Sequence, residues 1–373
     1  HGQRRSGTAA LQPAMPLSRS CTPRMEEDEG PSETLQALGV LSGISAFCVI
    51  FFNTLTSAGV DDIVAGNLLL VALAAAGAAL FFFDGGVTQR ALEAGAVQQV
   101  ANEEGALMEQ SPLLPEFSIR ASSLAEDYAA ATAALDKEGV VFIDGLLSES
   151  LASELRTYVE KWLEQAKKEA SEDTAPEQRF GGVLSRTSRY DLYLPLDGPI
   201  EAALRECVAQ LQPVLIDRLG ADPELFELSA LISDEGAPRQ PVHPDTGYSN
   251  STAIVTSFIA LQDVTEDMGP TFFLPGTQTE SAHAEFNGEA SQKSELLRTS
   301  PRRLGTISTG DATVFDSRLL HGGGANDRSR RILFYFSFKA RDSPRLPKGS
   351  LLSSLRYRHS LESLMAQEGV SKQ

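Results

Sequence analysis

The segment QPVHPDTGYSN, residues 240–250, places His243 and Asp245 on either side of a proline. Side chains at i and i+2 of an extended chain point to the same face. An imidazole and a carboxylate so placed form a two-ligand clamp for a metal ion. The sequence has only five histidines, at positions 1, 243, 283, 321 and 359. His321 is the candidate third ligand. It ends a strand-like run in GDATVFDSRLLHGGGAND, residues 310–327, and Gly322, Gly323 and Gly324 follow it. Three glycines are expected to leave the space beside that ring open. Two histidines and one carboxylate on one face of an octahedral iron(II) leave three positions for a chelating cosubstrate and O2.

A second chemical feature follows in RSRRILFYF, residues 328–336, where Arg330 and Arg331 open an apolar strand. A guanidinium is expensive to bury unless it is paired. Facing inward, it would form a bidentate pair with the far carboxylate of 2-oxoglutarate. Neighbours on a strand alternate, so only one of the two can face inward.

These residues need a scaffold of strands. GVVFIDG (139–145) is a short β-branched strand between glycines. In the segment that follows it, 148–170, Leu151, Leu155, Tyr158 and Trp162 recur at helical spacing, the pattern of an amphipathic helix packed on a sheet. Further strands are expected at 226–233, 252–264, 270–276, 312–317 and 331–338. The predicted class is mainly β with a helical layer, as a jelly roll. The polar connection 281–306 could cover a site, with His283, Arg302 and Arg303 expected in solvent.

From about 125 to 340 the chain resembles the phytanoyl-CoA dioxygenase family. ALDKEGVVFIDGLLSES is similar to the family's opening strand and helix, and ELSALISDEGAPRQPVHPDT to its first metal segment. QDVTEDMGPTFFLPGTQTESAH resembles its G-P-T…P-G-S/T-H turn, with Gln278 in place of the usual histidine. GDATVFDSRLLHGGGAND and RRILFYFSF resemble the second metal segment and the arginine strand. The resemblance implies a double-stranded β-helix, Fe(II) held by His243, Asp245 and His321, and 2-oxoglutarate and O2 as cosubstrates. It favours Arg330 as the cosubstrate anchor and keeps Arg331 open. It implies oxidative decarboxylation to succinate and CO2 coupled to oxidation of a small-molecule or lipid substrate. Related halogenases lack the carboxylate, so Asp245 argues for hydroxylation or another oxidation. Two other readings use the same residues: a catalytically idle subunit of a membrane complex, and a zinc hydrolase, which would need a base near its water.

The rest of the chain bounds the setting. It has 373 residues, 42% of them hydrophobic, and a net charge of −18. Nucleic acid is therefore not an expected partner. Three cysteines, at 21, 48 and 207, form no zinc spacing. Residues 1–25 carry Arg4, Arg5, Arg19 and Arg24 and no acid, as organellar transit peptides do. The chain opens on His1, so a longer precursor is expected. Two apolar runs, 37–60 and 63–86, each hold about 20 uncharged residues, enough to span a bilayer as a helix. The expected organisation is a targeting or disordered segment (1–35), a two-helix transmembrane hairpin (36–86), a linker (87–116), a dioxygenase domain (117–345) and a C-terminal tail (346–373). The expected location is an organellar membrane, in a plastid or a mitochondrion.

Overall fold

The computed structural model describes residues 95–115, 117–251, 254–343, 346 and 348–366. The transit-like segment and the two apolar runs lie outside the described residues. Among the described residues, no helix is long and apolar enough to cross a membrane.

The strands are β1 (Ser118–Arg120), β2 (Val140–Asp144), β3 (Arg189–Tyr193), β4 (Glu224–Ser233), β5 (Ile254–Ala260), β6 (Thr271–Phe273), β7 (Arg303–Leu304), β8 (Ala312–Asp316), β9 (His321–Gly323) and β10 (Arg331–Lys339). They form a larger sheet, β1-β2-β8-β5-β10-β4-β3, and a smaller one, β7-β6-β9. β5 and all of β10 but its last residue are buried, as expected of central strands covered on both faces. Their alternation separates two cores. Ile332, Phe334, Phe336 and Phe338 face helices, whereas Leu333 and Tyr335 face the smaller sheet.

The helical layer is built mainly from α3 (Glu149–Ser171) and α4 (Gly198–Leu219), which follow α1 (95–108) and α2 (Ala129–Glu138). In α3 the buried residues are Ala152, Leu155, Val159, Leu163 and Ala166, at the three- and four-residue spacing that keeps one face toward the sheet. Between the sheets, Phe258, Phe273 and Phe315 meet edge-on or tilted, with ring centroids 5.0–5.2 Å apart. Each such buried ring stabilises the fold by roughly 1.5–3 kcal/mol. This is the expected mainly β, jelly-roll type of architecture with a helical layer.

Three local expectations change. The stretch read as a linker contributes α1, which buries Ala101 and Met108. Glu104 of α1 accepts from the amide of Val242 (2.6 Å), one residue before the first histidine. The stretch read as a tail packs as well, burying Leu351, Leu352, Leu361 and Leu364. The connection 281–306 folds into α5 (Glu280–Phe286), α6 (Ala290–Thr299) and β7. Within it His283 is 4% exposed, its Nε2 lying 2.7 Å from the carbonyl of Arg318. Arg303 is buried against Glu138 through bonds of 2.8 and 3.2 Å. Both are therefore structural rather than solvated; α7 (Leu361–Ala366) ends the described chain.

Candidate metal centre and anion pocket

His321 opens β9, and His243 lies directly opposite it as an isolated antiparallel bridge. Each backbone amide donates to the other's carbonyl at 2.9 Å. Residues directly opposed across a ladder put their side chains on the same face, and the imidazole centroids are 4.6 Å apart. The chain bends at Asp245, two residues on, where the Thr246 amide donates to the Ser317 carbonyl at 3.0 Å. That bend brings Asp245 Oδ1 to 3.6 Å from His321 Nε2. One ligand atom from each of His243, Asp245 and His321 lies within 4.8 Å of the others.

The imidazoles are oriented by backbone. His243 Nδ1 lies 2.9 Å from the Pro241 carbonyl, and His321 Nδ1 lies 2.9 Å from the Leu319 carbonyl. A carbonyl only accepts, so Nδ1 carries the proton and Nε2 keeps its lone pair for a metal ion. Burial lowers the pKa of His243 to about 4, helped by the neighbouring His321, and burial lowers that of His321 to about 4. Both rings are thus neutral at neutral pH, the form that ligates. Asp245 is pushed up by desolvation, although 39% of its side-chain surface stays open. Protein crowds the carboxylate on most sides and leaves one side accessible. The donor set fits a divalent iron, with two neutral imidazoles and one carboxylate on a common face.

The glycines after His321 do not keep space open, as the sequence suggested. A Cβ on Gly322 would lie 2.6 Å from the Phe272 ring, and one on Gly323 would lie 2.7 Å from Gln240 Oε1. The glycines instead let β6 and the segment before His243 press against β9.

The two arginines point in opposite directions. Arg330 bonds Asp234 at 2.5 and 3.1 Å, with 31% of its side chain exposed. Arg331 is fully buried. Its Nη1 donates to the carbonyl of Gly269, while Nε and Nη2 meet no acceptor among the described residues. The inward arginine is therefore Arg331, not the favoured Arg330. Register explains the facing: Arg331 stands opposite Ser233 of β4, and Ser233 stands opposite Arg189 of β3. Arg189 is also buried and donates to the carbonyls of Ser185, Pro238 and Gly324 at 3.0–3.3 Å, leaving Nε unpartnered. Burial lowers Arg331 to about 9, reinforced by Arg189, and lowers Arg189 to about 10, so both remain charged at neutral pH. Among the described residues, no carboxylate pairs with either. Two buried cations without an anion form a pocket for one.

Sequence reasoning missed Arg189, together with Asp191 and Glu227, which face the same interior. The alternation in RYDLY was a signal: Arg189 and Asp191 share one face, while Tyr190 and Leu192 take the other. A cavity of about 170 Å3 beside Phe226, Lys339, Gly349 and Tyr357 contains none of the triad.

Comparison with known proteins places this geometry. A sequence model of the phytanoyl-CoA dioxygenase (PhyH) family matches residues 135–332, more than half of the chain. The chain belongs to the phytanoyl-CoA dioxygenase family. It is also similar to dioxygenase ALT11 of Alternaria alternata, 24% identical over 217 residues; the match spans 51% of this chain and 64% of that protein. Among solved structures, the α-ketoglutarate-dependent carbocyclase SnoK of nogalamycin biosynthesis matches with a TM-score of 0.45 and 18% identity. That match covers 62% of this chain and 90% of SnoK. AviO1 of Streptomyces viridochromogenes Tue57 matches with a TM-score of 0.43 and 19% identity, covering 59% of this chain and 97% of AviO1.

Proposed function

We propose that this protein is a membrane-anchored Fe(II)- and 2-oxoglutarate-dependent dioxygenase that oxidises a small molecule. One observation carries the catalytic part: a three-ligand face shares the interior with a buried arginine whose Nε and Nη2 have no partner among the described residues. Iron supplies the O2 chemistry when bound, coupled to oxidative decarboxylation of 2-oxoglutarate. His243, Asp245 and His321 hold the ion, with Nδ1 of each imidazole tied to a backbone carbonyl. Arg331 anchors the far carboxylate of 2-oxoglutarate by a charge-assisted pair. The aromatic layer of Phe258, Phe273 and Phe315 keeps water from the side of the site against which His321 packs.

Anaerobic titration of the iron(II)-loaded protein with 2-oxoglutarate tests this reading. A weak visible charge-transfer band is expected to grow to one equivalent, and zinc should give none. An iron-loaded sample in which 2-oxoglutarate binds without the band, or does not bind, would defeat it. An idle subunit and a zinc hydrolase would each give such a result.

The anchor is supported by residues 37–60 and 63–86, whose length and lack of charge suit a bilayer. The basic, acid-free residues 1–25 suit import into an organelle, a plastid before a mitochondrion. Alkaline carbonate should leave the full chain in the membrane pellet, because extraction would expose about 40 mostly apolar residues to water. Recovery in the supernatant would remove the anchor from the proposal.

A further inference from the structure

We infer that the acidic end of the barrel interior is the substrate-recognition site and that it takes a protonated amine. The substrate is then an amine-bearing small molecule. This inference rests on the oxygenase reading above.

The interior face of the larger sheet is polarised. One row carries Arg189, Ser233 and Arg331. Asp191 follows two residues along β3, on the same face as Arg189. Further along, a row carries Glu227, Ser337, Thr256 and Phe315, directly opposed from strand to strand across β4, β10, β5 and β8. Phe315 packs against His321 at 5.1 Å, which places this row beside the metal centre. The basic end suits the cosubstrate anion, and the acidic end remains for the other reactant.

The acidic end is built. Asp191 is 4% exposed and accepts from Ser229 Oγ at 2.7 Å, from Tyr335 Oη at 2.8 Å and from Ser350 Oγ. Glu227 accepts from Ser337 Oγ at 2.7 Å and from the Ser350 amide at 3.2 Å. Ser350 thus joins both carboxylates from the C-terminal segment. Gly181 allows the wall to close over Asp191, since a Cβ there would lie 1.9 Å from Asp191 Oδ2. Among the described residues, no lysine, arginine or histidine pairs with Asp191 or Glu227. Asp191 is buried and Glu227 half-buried, and acids of like sign so placed are costly unless a cation joins them.

A separate observation points to a ligand. Thr256 is 2% exposed, and its Oγ1 has no hydrogen-bond partner among the described residues. It shares a face with Phe258, and so lies on the interior side, opposite Ser337. An ammonium offers three N–H donors, and the carboxylates of Glu227 and Asp191 and the hydroxyl of Thr256 offer acceptors on one interior face. Burial raises Asp191 and, with the charge of Asp191 beside it, pushes Glu227 up to about 7. An arriving cation would relieve that crowding. An anionic substrate would meet Asp191 and Glu227 and be disfavoured.

The full chain, loaded with iron(II) and 2-oxoglutarate without oxygen, would be titrated by calorimetry with n-hexylammonium, n-hexanoate and 1-hexanol. Hexylammonium should bind, hexanoate should not, and hexanol should bind at least tenfold more weakly than hexylammonium. Glu227→Gln should weaken hexylammonium at least tenfold and Thr256→Val about threefold, with unfolding midpoints close to that of the parent chain. Absent hexylammonium binding, equal binding of hexanol, or an unaffected Glu227→Gln variant would each overturn the amine assignment. The visible band is read in the same samples. Its presence without amine binding sinks only the substrate class, whereas its absence sinks the oxygenase reading.

Discussion

Replacing Asp245 by alanine is expected to abolish 2-oxoglutarate turnover while leaving the domain folded. The carboxylate is one of three ligands, and loss of an outer partner of a ligand already costs about 10–100-fold in affinity or activity. Loss of the ligand itself should exceed roughly 100-fold. The fold should tolerate the change. Asp245 sits in a bend with 39% of its side chain exposed, and desolvation holds its carboxyl above its ordinary pKa. Succinate release at saturating iron measures the first effect and thermal unfolding the second. Undiminished succinate formation would remove Asp245 from the ligand set.

The second large effect separates neighbouring residues. Arg331→Ala should raise the 2-oxoglutarate requirement through loss of a buried charge-assisted contact, worth on the order of 2–5 kcal/mol. That corresponds to roughly 30-fold to several thousand-fold in affinity. Iron binding should change far less, because no metal ligand is touched. Arg330→Ala should leave the requirement nearly unchanged. It loses a partly exposed pair with Asp234, of a kind worth about 0–1 kcal/mol. Removing Arg331 also removes a buried charge without a carboxylate partner, so Arg331→Leu should not lower, and is expected to raise, the unfolding temperature of the ligand-free protein. If Arg330→Ala weakens 2-oxoglutarate and Arg331→Ala does not, the anion pocket has been assigned to the wrong arginine.

Much of the metal centre could be read in the chain because its ligands are local or terminate regular strands. His243 and Asp245 are two residues apart, and His321 closes a strand-like run. The β class was legible for a similar reason, since short apolar and aromatic runs such as RILFYFSF mark strands buried on both faces. The α3 stripe of Leu155 and its neighbours was equally local.

Which arginine faces inward was not local. A shift of one residue in register exchanges the two faces of a strand, and the register of β10 is set by pairing with β4 and β5, 73–115 residues away in sequence. The same holds for Asp191 and Glu227. They went unread in the sequence, because only two sheets closing on each other made their face an interior. The glycines after His321, the burial of His283 and the packing of α1 and Ser350 likewise depend on segments far away in the chain. The sequence by itself determined the ligand chemistry and the strand and helix faces, because those follow from side-chain type and short-range periodicity. Only the tertiary structure decided which charges lie inside together, because burial and pairing arise from contacts between distant segments, and those alone orient Arg331 toward one end of the site and Glu227 toward the other.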